Sequence, residues 1–247
     1  ITLTPQPQVS ITIEDQATGY IVAMVGGRGQ KEASRTLNRA YTTTRQPGST
    51  FKVVSTYAPA LDSAGLTLAD VQNDAPYNYA SGRPVSNWWK NGYRGLLSLR
   101  YGIVQSANIV AVKTLTQITP QLGFDYLLNF GFTTLVDRRV EADGTVVSDI
   151  GQPLALGGIT DGVTNMELNA AYAYIKPKLY TKIVDHDGNV LIDNTSPSET
   201  PVIKETTAWL LTSAMQDVVT SGTGGSVNFG GMAIAGKTGT TSDNKDV

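Results

Sequence analysis

The 247-residue sequence predicts an α+β fold in which an antiparallel sheet is flanked by helices and a mostly helical subdomain is inserted. Three observations carry this. Two β-rich runs, Val9–Glu14 and Tyr20–Val25, flank the turn Asp15-Gln16-Ala17-Thr18-Gly19, the pattern of a hairpin. Residues from Leu96 to Phe130, and again from Val202 to Thr220, carry apolar side chains at helical spacing. Met232–Thr238 is short, apolar and alternating, which reads as a strand.

Along the chain, residues 1–8 hold two prolines and read as a linker, leaving 9–247 as the folded domain. Gly26 to Arg45 is polar, without a strong period, and reads as loop. A helix is expected from Ser49 to Leu61, starting behind Pro47-Gly48, with Pro59 kinking it or ending it early. Val71 to Tyr93 is rich in Asn, Pro, Gly and aromatic residues and is expected to be irregular. Its Trp88 and Trp89 either shape a cleft or pack the long loop onto the body. Leu96–Val104 and Ile109–Leu115 read as two helices with a short junction between them. His186 lies in Asp185-His186-Asp187-Gly188-Asn189, a turn between Tyr180–Val184 and Val190–Ile192.

Composition excludes several chemistries. Hydrophobic residues at 40% support a core, while 16% charged residues and a net charge of −2 leave no basic face for nucleic acid. With no cysteine there is no disulfide, no thiol nucleophile and no Cys-ligated zinc. A single histidine rules out a multi-histidine metal site, and a Ser-His-Asp triad would have to draw on a turn residue. Neither a cofactor nor a metal is expected. No apolar run approaches the length of about 18 residues needed to cross a bilayer.

The chemistry lies in an ordered set of short motifs. Ser49-Thr50-Phe51-Lys52 places a hydroxyl and an amine on one helical face. Serine becomes a nucleophile when a nearby base takes its proton. Lysine can be that base when burial or a neighbouring cation lowers its proton affinity. The same tetrapeptide also fits a serine helix cap followed by an exposed lysine, and it recurs at Ser242–Lys245, so alone it decides little. Lys237-Thr238-Gly239 lies near the other end of the chain. Between them, Ser106-Ala107-Asn108 sits at the junction of the two expected helices. Two further Ser-x-Asn strings, Ser226-Val227-Asn228 and Ser242-Asp243-Asn244, are too close to Lys-Thr-Gly or follow it. Order and spacing of the three elements single out Ser49, Lys52, Ser106, Asn108 and Lys237 as candidate catalytic residues. Thr238, Gly239 and Thr240 are the candidate substrate-binding residues, with Thr238 and Thr240 alternating onto one face of the expected strand.

These motifs, with the residues around them, resemble the transpeptidase domain of class A, bifunctional penicillin-binding proteins. Asn38-Arg39-Ala40 and Arg45 to Lys52 match the approach to the nucleophile. Pro84, Asn87 and Gly95 through Asn108 match the second block. Leu154 to Gly158, Gly162-Val163-Thr164 and Ala171-Tyr172-Ala173 match the third. Gly222-Thr223-Gly224 and Ala235 to Thr241 match the fourth. The resemblance implies the fold of penicillin-binding proteins and serine β-lactamases, and a D,D-transpeptidase that β-lactams acylate and inhibit. Ser49 would attack the penultimate D-Ala carbonyl of a peptidoglycan stem peptide. Lys52 would serve as base, Ser106 as proton relay and Lys237 as holder of the network's charge. Asn108 would bind the substrate amide, the backbone amides of Ser49 and Thr240 would form the oxyanion hole, and Thr238 and Thr240 would bind the substrate carboxylate. The implied partners are stem peptides, β-lactam antibiotics, and a glycosyltransferase domain and membrane anchor in the same polypeptide. The implied location is the outer face of the bacterial cytoplasmic membrane.

Two departures from the family stand out. Tyr174-Ile175-Lys176-Pro177 follows Ala-Tyr-Ala where the family has an Asn-Gly-Gly turn, so residues are expected to be missing there. The family continues with more strands and a C-terminal helix where this sequence stops, so 9–247 is expected to be an incomplete domain that does not fold stably alone. Rival readings are weaker. Gly231 to Thr238 satisfies the phosphate-loop pattern, but a poor helix start follows it. A class A β-lactamase would need a glutamate two residues before Glu167-Leu168-Asn169, where Asn165 stands. A D,D-carboxypeptidase or a non-catalytic β-lactam sensor would use the same motifs.

Overall fold

A computed structural model describes residues 7–31, 33–173, 177–196 and 201–241. In chain order the chain forms strands β1 (Ile11–Asp15), β2 (Tyr20–Val25) and β3 (Thr44–Arg45). A 3-10 turn (Gly48–Thr50) then leads through a π-helical segment (Val53–Tyr57) into helix α1 (Ala58–Asp62). Strands β4 (Val71–Asp74) and β5 (Gly95–Ser98) precede helices α2 (Leu99–Val104), α3 (Asn108–Ile118) and α4 (Pro120–Asn129). Next come β6 (Arg139–Val140), β7 (Val146–Val147), a 3-10 helix (Gln152–Leu156), β8 (Val163–Thr164) and α5 (Asn165–Ala173). The chain closes with β9 (Lys182–Val184), β10 (Val190–Asp193), α6 (Glu205–Ser221) and a 3-10 turn (Gly225–Val227). The architecture is α+β, and its antiparallel strands form five separate two-stranded ladders among the described residues.

The chain divides into two compact units. One comprises residues 1–45, 130–133 and 163–201. Its β1–β2 hairpin carries a register shift at Ile13/Glu14. Helix α5 is tied to β1, with the Thr12 hydroxyl 2.6 Å from Asn165 Oδ1 and the Asn169 amide 2.8 Å from Glu14 Oε2. The turn holding His186 joins β9 to β10, where Asp185 Oδ1 accepts from the backbone N–H groups of Asp187 and Asn189.

The other unit comprises residues 46–129, 134–162 and 202–247 and holds every candidate catalytic residue. At its centre lies α3, whose Ile109, Val110, Ala111, Val112 and Leu115 are all fully buried, as expected of a helix covered on nearly all sides. The helical run after Ser49, the 3-10 helix at Gln152–Leu156, α2 and α4 pack on it, and α6 packs on α1 and α2.

Three expectations need correction, and a fourth, at Pro59, is met in one of its two forms. Leu96–Ser98 is strand rather than helix: Gly95, at φ 72°, opens β5, which pairs with β4 in the register Val71↔Ser98. The helix begins at Leu99 because Ser98 caps it, its hydroxyl accepting from the Tyr101 N–H at 3.2 Å. For the same reason Val71–Asp74 is ordered strand within a stretch expected to be irregular. Of the two expectations for Pro59, early termination does not occur, and the helix is instead distorted into a π turn just before it. Proline's ring collides with the carbonyl four residues back in a regular helix. The wide π turn, closed by the Ala58 N–H to Val53 O bond, sets that carbonyl aside, and helix continues to Asp62. Met232–Thr238 forms no ladder, because no described strand lies beside it to pair with. The expected break at residues 174–176 lies outside the described residues.

The π turn also explains a small residue in α4. A Cβ at buried Gly123 would lie 2.4 Å from the Ser55 carbonyl oxygen and 2.7 Å from Leu115 Cδ1. The Gly123→Ala substitution is therefore expected to destabilise the protein by about 1–3 kcal/mol, as measured by chemical denaturation. Unchanged stability would show that α4 is free to back away from the π turn.

Candidate active site

Ser49 sits in the 3-10 turn that opens the catalytic helix, and backbone stacking places it there. Gly48 has φ 55°, in the left-handed region that glycine occupies readily. A Cβ on it would lie 2.7 Å from the Thr240 carbonyl oxygen. A Cβ on Gly157, at φ 72°, would lie 2.5 Å from the Gly48 carbonyl oxygen. Three stretches of bare backbone therefore stack, bringing the Lys-Thr-Gly segment against the nucleophile's turn. Gly239 continues this contact, since a Cβ there would meet the Thr50 methyl at 2.8 Å.

One turn after Ser49, the side chain of Lys52 is fully buried. Its Nζ lies 3.0 Å from Ser49 Oγ, 2.7 Å from the Ser106 carbonyl oxygen, 3.0 Å from Ser106 Oγ and 2.6 Å from Asn108 Oδ1. All four partners are neutral. Burial without a compensating carboxylate disfavours the ammonium, and the nearby charge of Lys237 adds to the effect. Lys52 is accordingly held well below the ordinary lysine range.

Ser106 is the middle residue of the three-residue break between α2 and α3. Its φ of 52° is unusual for a residue with a side chain and costs about 1–2 kcal/mol relative to glycine-like freedom. This conformation presents both its carbonyl and its hydroxyl to Lys52. The hydroxyl also accepts from Lys237 Nζ at 2.8 Å, so one oxygen links two amines. Lys237 as a residue is half-buried, but its amine lies in the enclosed part of the cleft, and burial pushes its proton affinity down to about 7. The segment that carries it is anchored to α6 by the Gly236 N–H to Met215 O bond.

The structure thus brings Ser49, Lys52, Ser106, Asn108 and Lys237 into one hydrogen-bonded chain. Thr238 pairs its hydroxyl with that of Thr223 at 2.7 Å. Thr240 is exposed, with its backbone on Gly48. Strand alternation does not govern these two threonines, since the segment lies in no ladder. Sequence reasoning missed the part of Thr223, whose turn is fixed because a Cβ on Gly222 would lie 2.3 Å from the Val104 carbonyl oxygen. Trp88 and Trp89 serve the loop: the Trp88 indole donates to the Gln105 carbonyl, and Trp89 lies under the Arg94 guanidinium at 4.1 Å. Of the rival motifs, Ser226–Asn228 forms a separate 3-10 turn, and residues 242–245 lie outside the described residues. Among the described residues no helix opens over Lys237 through Thr241, where a phosphate loop would start one. Glu167 spends its carboxylate on the N–H and hydroxyl groups of Thr133 and Thr164, a structural cap for α5.

Comparison with known proteins identifies the family and the fold. Residues 9–246 match the family described as penicillin binding protein transpeptidase domain. Penicillin-binding protein 1A of Clostridium tetani is 32% identical over 260 residues, covering 98% of this chain and 32% of the relative. Penicillin-binding protein 1A of Streptococcus oralis is 34% identical over 251 residues, covering 97% and 38%. The chain therefore spans about a third of the length of the relatives it matches. Among solved structures, penicillin-binding protein 1A from Haemophilus influenzae superposes with a TM-score of 0.77 at 24% identity, covering 96% of this chain and 40% of that one. Penicillin-binding protein 3 from Mycobacterium tuberculosis, complexed with ampicillin, gives 0.77 at 21% identity, covering 95% and 57%. The fold is thus that of the penicillin-binding transpeptidase domains. The chain belongs to the penicillin-binding protein transpeptidase family.

The two amines make stability depend on pH. A lysine whose folded-state proton affinity is lowered binds fewer protons when folded than when unfolded, so stability rises with pH between the two values. For Lys237 that window runs from about 7 to the ordinary 10.5. Urea unfolding is expected to give a free energy that increases from pH 7 to about pH 9, and a shallower increase in Lys237→Met. Equal slopes in the two proteins would show that Lys237 keeps its ordinary proton affinity in the cleft.

Proposed function

We propose that this domain is a serine-type peptidoglycan D,D-transpeptidase acting through an acyl-enzyme on Ser49. The observation that carries the reading is the surroundings of Lys52: a buried amine with two carbonyl acceptors and a serine hydroxyl at 3.0 Å. A neutral amine has two N–H donors and one lone pair. The Ser106 carbonyl and Asn108 Oδ1 can only accept, so they take the two N–H groups. The lone pair is then left for a hydroxyl proton, and Ser49 supplies one.

In the forward reaction Lys52 takes that proton as Ser49 Oγ forms a bond to the penultimate D-Ala carbonyl carbon. The new ammonium has a third N–H, which Ser106 Oγ is placed to accept. Ser106 hands its own proton to the leaving nitrogen, the C–N bond breaks, and terminal D-Ala departs. Lys237 on the same hydroxyl favours the oxyanionic character that develops during this transfer. The backbone N–H groups of Ser49 and Thr240, adjacent through the glycine stack, receive the carbonyl oxygen; such a site lowers a barrier by about 3–4 kcal/mol. An amine from a second stem peptide then takes the acyl group by the reverse sequence, which leaves a cross-link. Thr238 and Thr240, with the field of Lys237, hold the substrate carboxylate, and Gly239 lets their backbone approach Thr50. Asn108 offers its remaining amide hydrogen to the substrate backbone. A β-lactam enters by the same first step. The substrate is assembled on a lipid carrier, so the domain works at the outer face of the cytoplasmic membrane. Its polypeptide supplies the glycosyltransferase domain and the membrane anchor. No cofactor, metal or nucleic acid takes part.

A fluorescent penicillin is expected to label the full-length protein at one site, and peptide mass mapping should place the adduct on Ser49. Labelling of folded Ser49→Ala, or an adduct elsewhere in the parent, would overturn the assignment. Thr238→Val is expected to slow acylation several-fold, partly because it leaves the Thr223 hydroxyl unpaired. Acylation at the parental rate would remove Thr238 from the binding site.

A further inference from the structure

Helix α3 begins at Asn108 without a cap of its own, because Ala107 precedes it and has no side-chain acceptor. The cap comes from 21 residues away. Asn87 Oδ1 accepts from the Asn108 N–H at 2.8 Å and from the Ile109 N–H at 3.2 Å. Asn87 is itself held: its Nδ2 donates to Asp74 Oδ1 at 2.7 Å, and Asp74 Oδ2 accepts the Arg94 N–H at 2.8 Å. Asp74 is fully buried at the end of β4, so this carboxylate is an anchor inside the fold. The neighbouring Ser86 carbonyl accepts from Asn108 Nδ2 at 2.7 Å. An amide whose nitrogen is fixed by a carbonyl must turn its oxygen the other way, and here the oxygen meets Lys52.

We propose that Asn87, locked by Asp74, is a positioning residue for the Ser49–Lys52 pair. Through the cap on α3 it holds Asn108 Oδ1 against Lys52 Nζ, so that the amine's free position faces Ser49. This rests on the transpeptidase reading above. Asn87 touches neither nucleophile nor base and acts only through Asn108. Loss of the clamp lets Asn108 drift, and misplacement by about 1 Å can slow a positioned reaction by up to about 10²-fold. An ammonium that loses a carbonyl acceptor is also a weaker proton holder, so the acid side of the rate profile moves to lower pH. The charged groups around this network are Lys52 and Lys237 at its inner end, and Asp74 and Arg94 at its outer end.

The test uses full-length protein, a fluorescent penicillin and active-site titration, so that the acylation rate is expressed per competent site across a pH series. Asn87→Ala is expected to keep the adduct on Ser49, acylate about tenfold more slowly per site, and shift the acid limb to lower pH. Asn87→Asp sets two carboxylates against each other and is expected to be slow as well. Asn87→Asp combined with Asp74→Asn exchanges donor and acceptor, restores every hydrogen bond and is expected to recover most of the parental rate. A merely structural role would lower the number of competent sites and leave rate per site and acid limb as in the parent, and that result overturns the inference. If Asn87→Ala fails to fold, the Asn87→Asp pair decides alone: no recovery in the double variant overturns it. A parent labelled elsewhere than Ser49 would instead sink the transpeptidase reading, so the two failures are distinct.

Discussion

The site depends on one constraint: the amine of Lys52 is buried with no carboxylate to neutralise it. An ordinary core would reject this residue, since an unpaired buried charge is among the largest single penalties a fold can carry. It is accommodated here by a proton affinity held well below the ordinary lysine range and by two carbonyl groups aimed at its N–H bonds. The surrounding architecture serves this arrangement. The π turn carries the helix past Pro59 in one piece, the left-handed Ser106 turns a carbonyl inward, and α3 starts where Asn108 can reach the amine.

Lys237 gives the cleft its second amine, and the two share the Ser106 hydroxyl. Two like charges around one oxygen cannot both persist at low dielectric, so protonation of one lysine disfavours protonation of the other. In the proposed reaction, which gives and takes a proton in each half, the Ser106 hydroxyl between the two amines would carry that proton with little movement of heavy atoms.

Much of the site was legible in the sequence, because its chemistry lies in short motifs. Ser49 and Lys52 are separated by one helical turn, and Ser106-Ala107-Asn108 fits between helices in the right order. What stayed hidden is tertiary. Asn87 caps a helix 21 residues away from a stretch with no period, and nothing in that stretch announces the distance it spans. Thr223 meets Thr238 across a turn whose closeness follows from the backbone approach at Gly222. Strand β5 was read as helix because Leu96-Leu97-Ser98 runs apolar into α2 without a break, and Ser98 showed itself as a cap only once the strand before it had a partner. Met232–Thr238 has the composition of a strand but no described neighbour to complete a ladder, and alternation alone cannot supply one.

The stack of Gly157, Gly48 and Thr240 separates two kinds of variation. Backbone rests on backbone there, so no side chain sets how far the Thr240 segment stands from Ser49. Under the proposed function, substitutions in the walls of the cleft are therefore expected to change which peptide or antibiotic is admitted without shifting the two amides that would receive its carbonyl oxygen. Under that function selectivity is free to change while the spacing beneath it stays, and the two glycine contacts, Gly157 on Gly48 and Gly48 on Thr240, mark the boundary between what is free to vary and what is not.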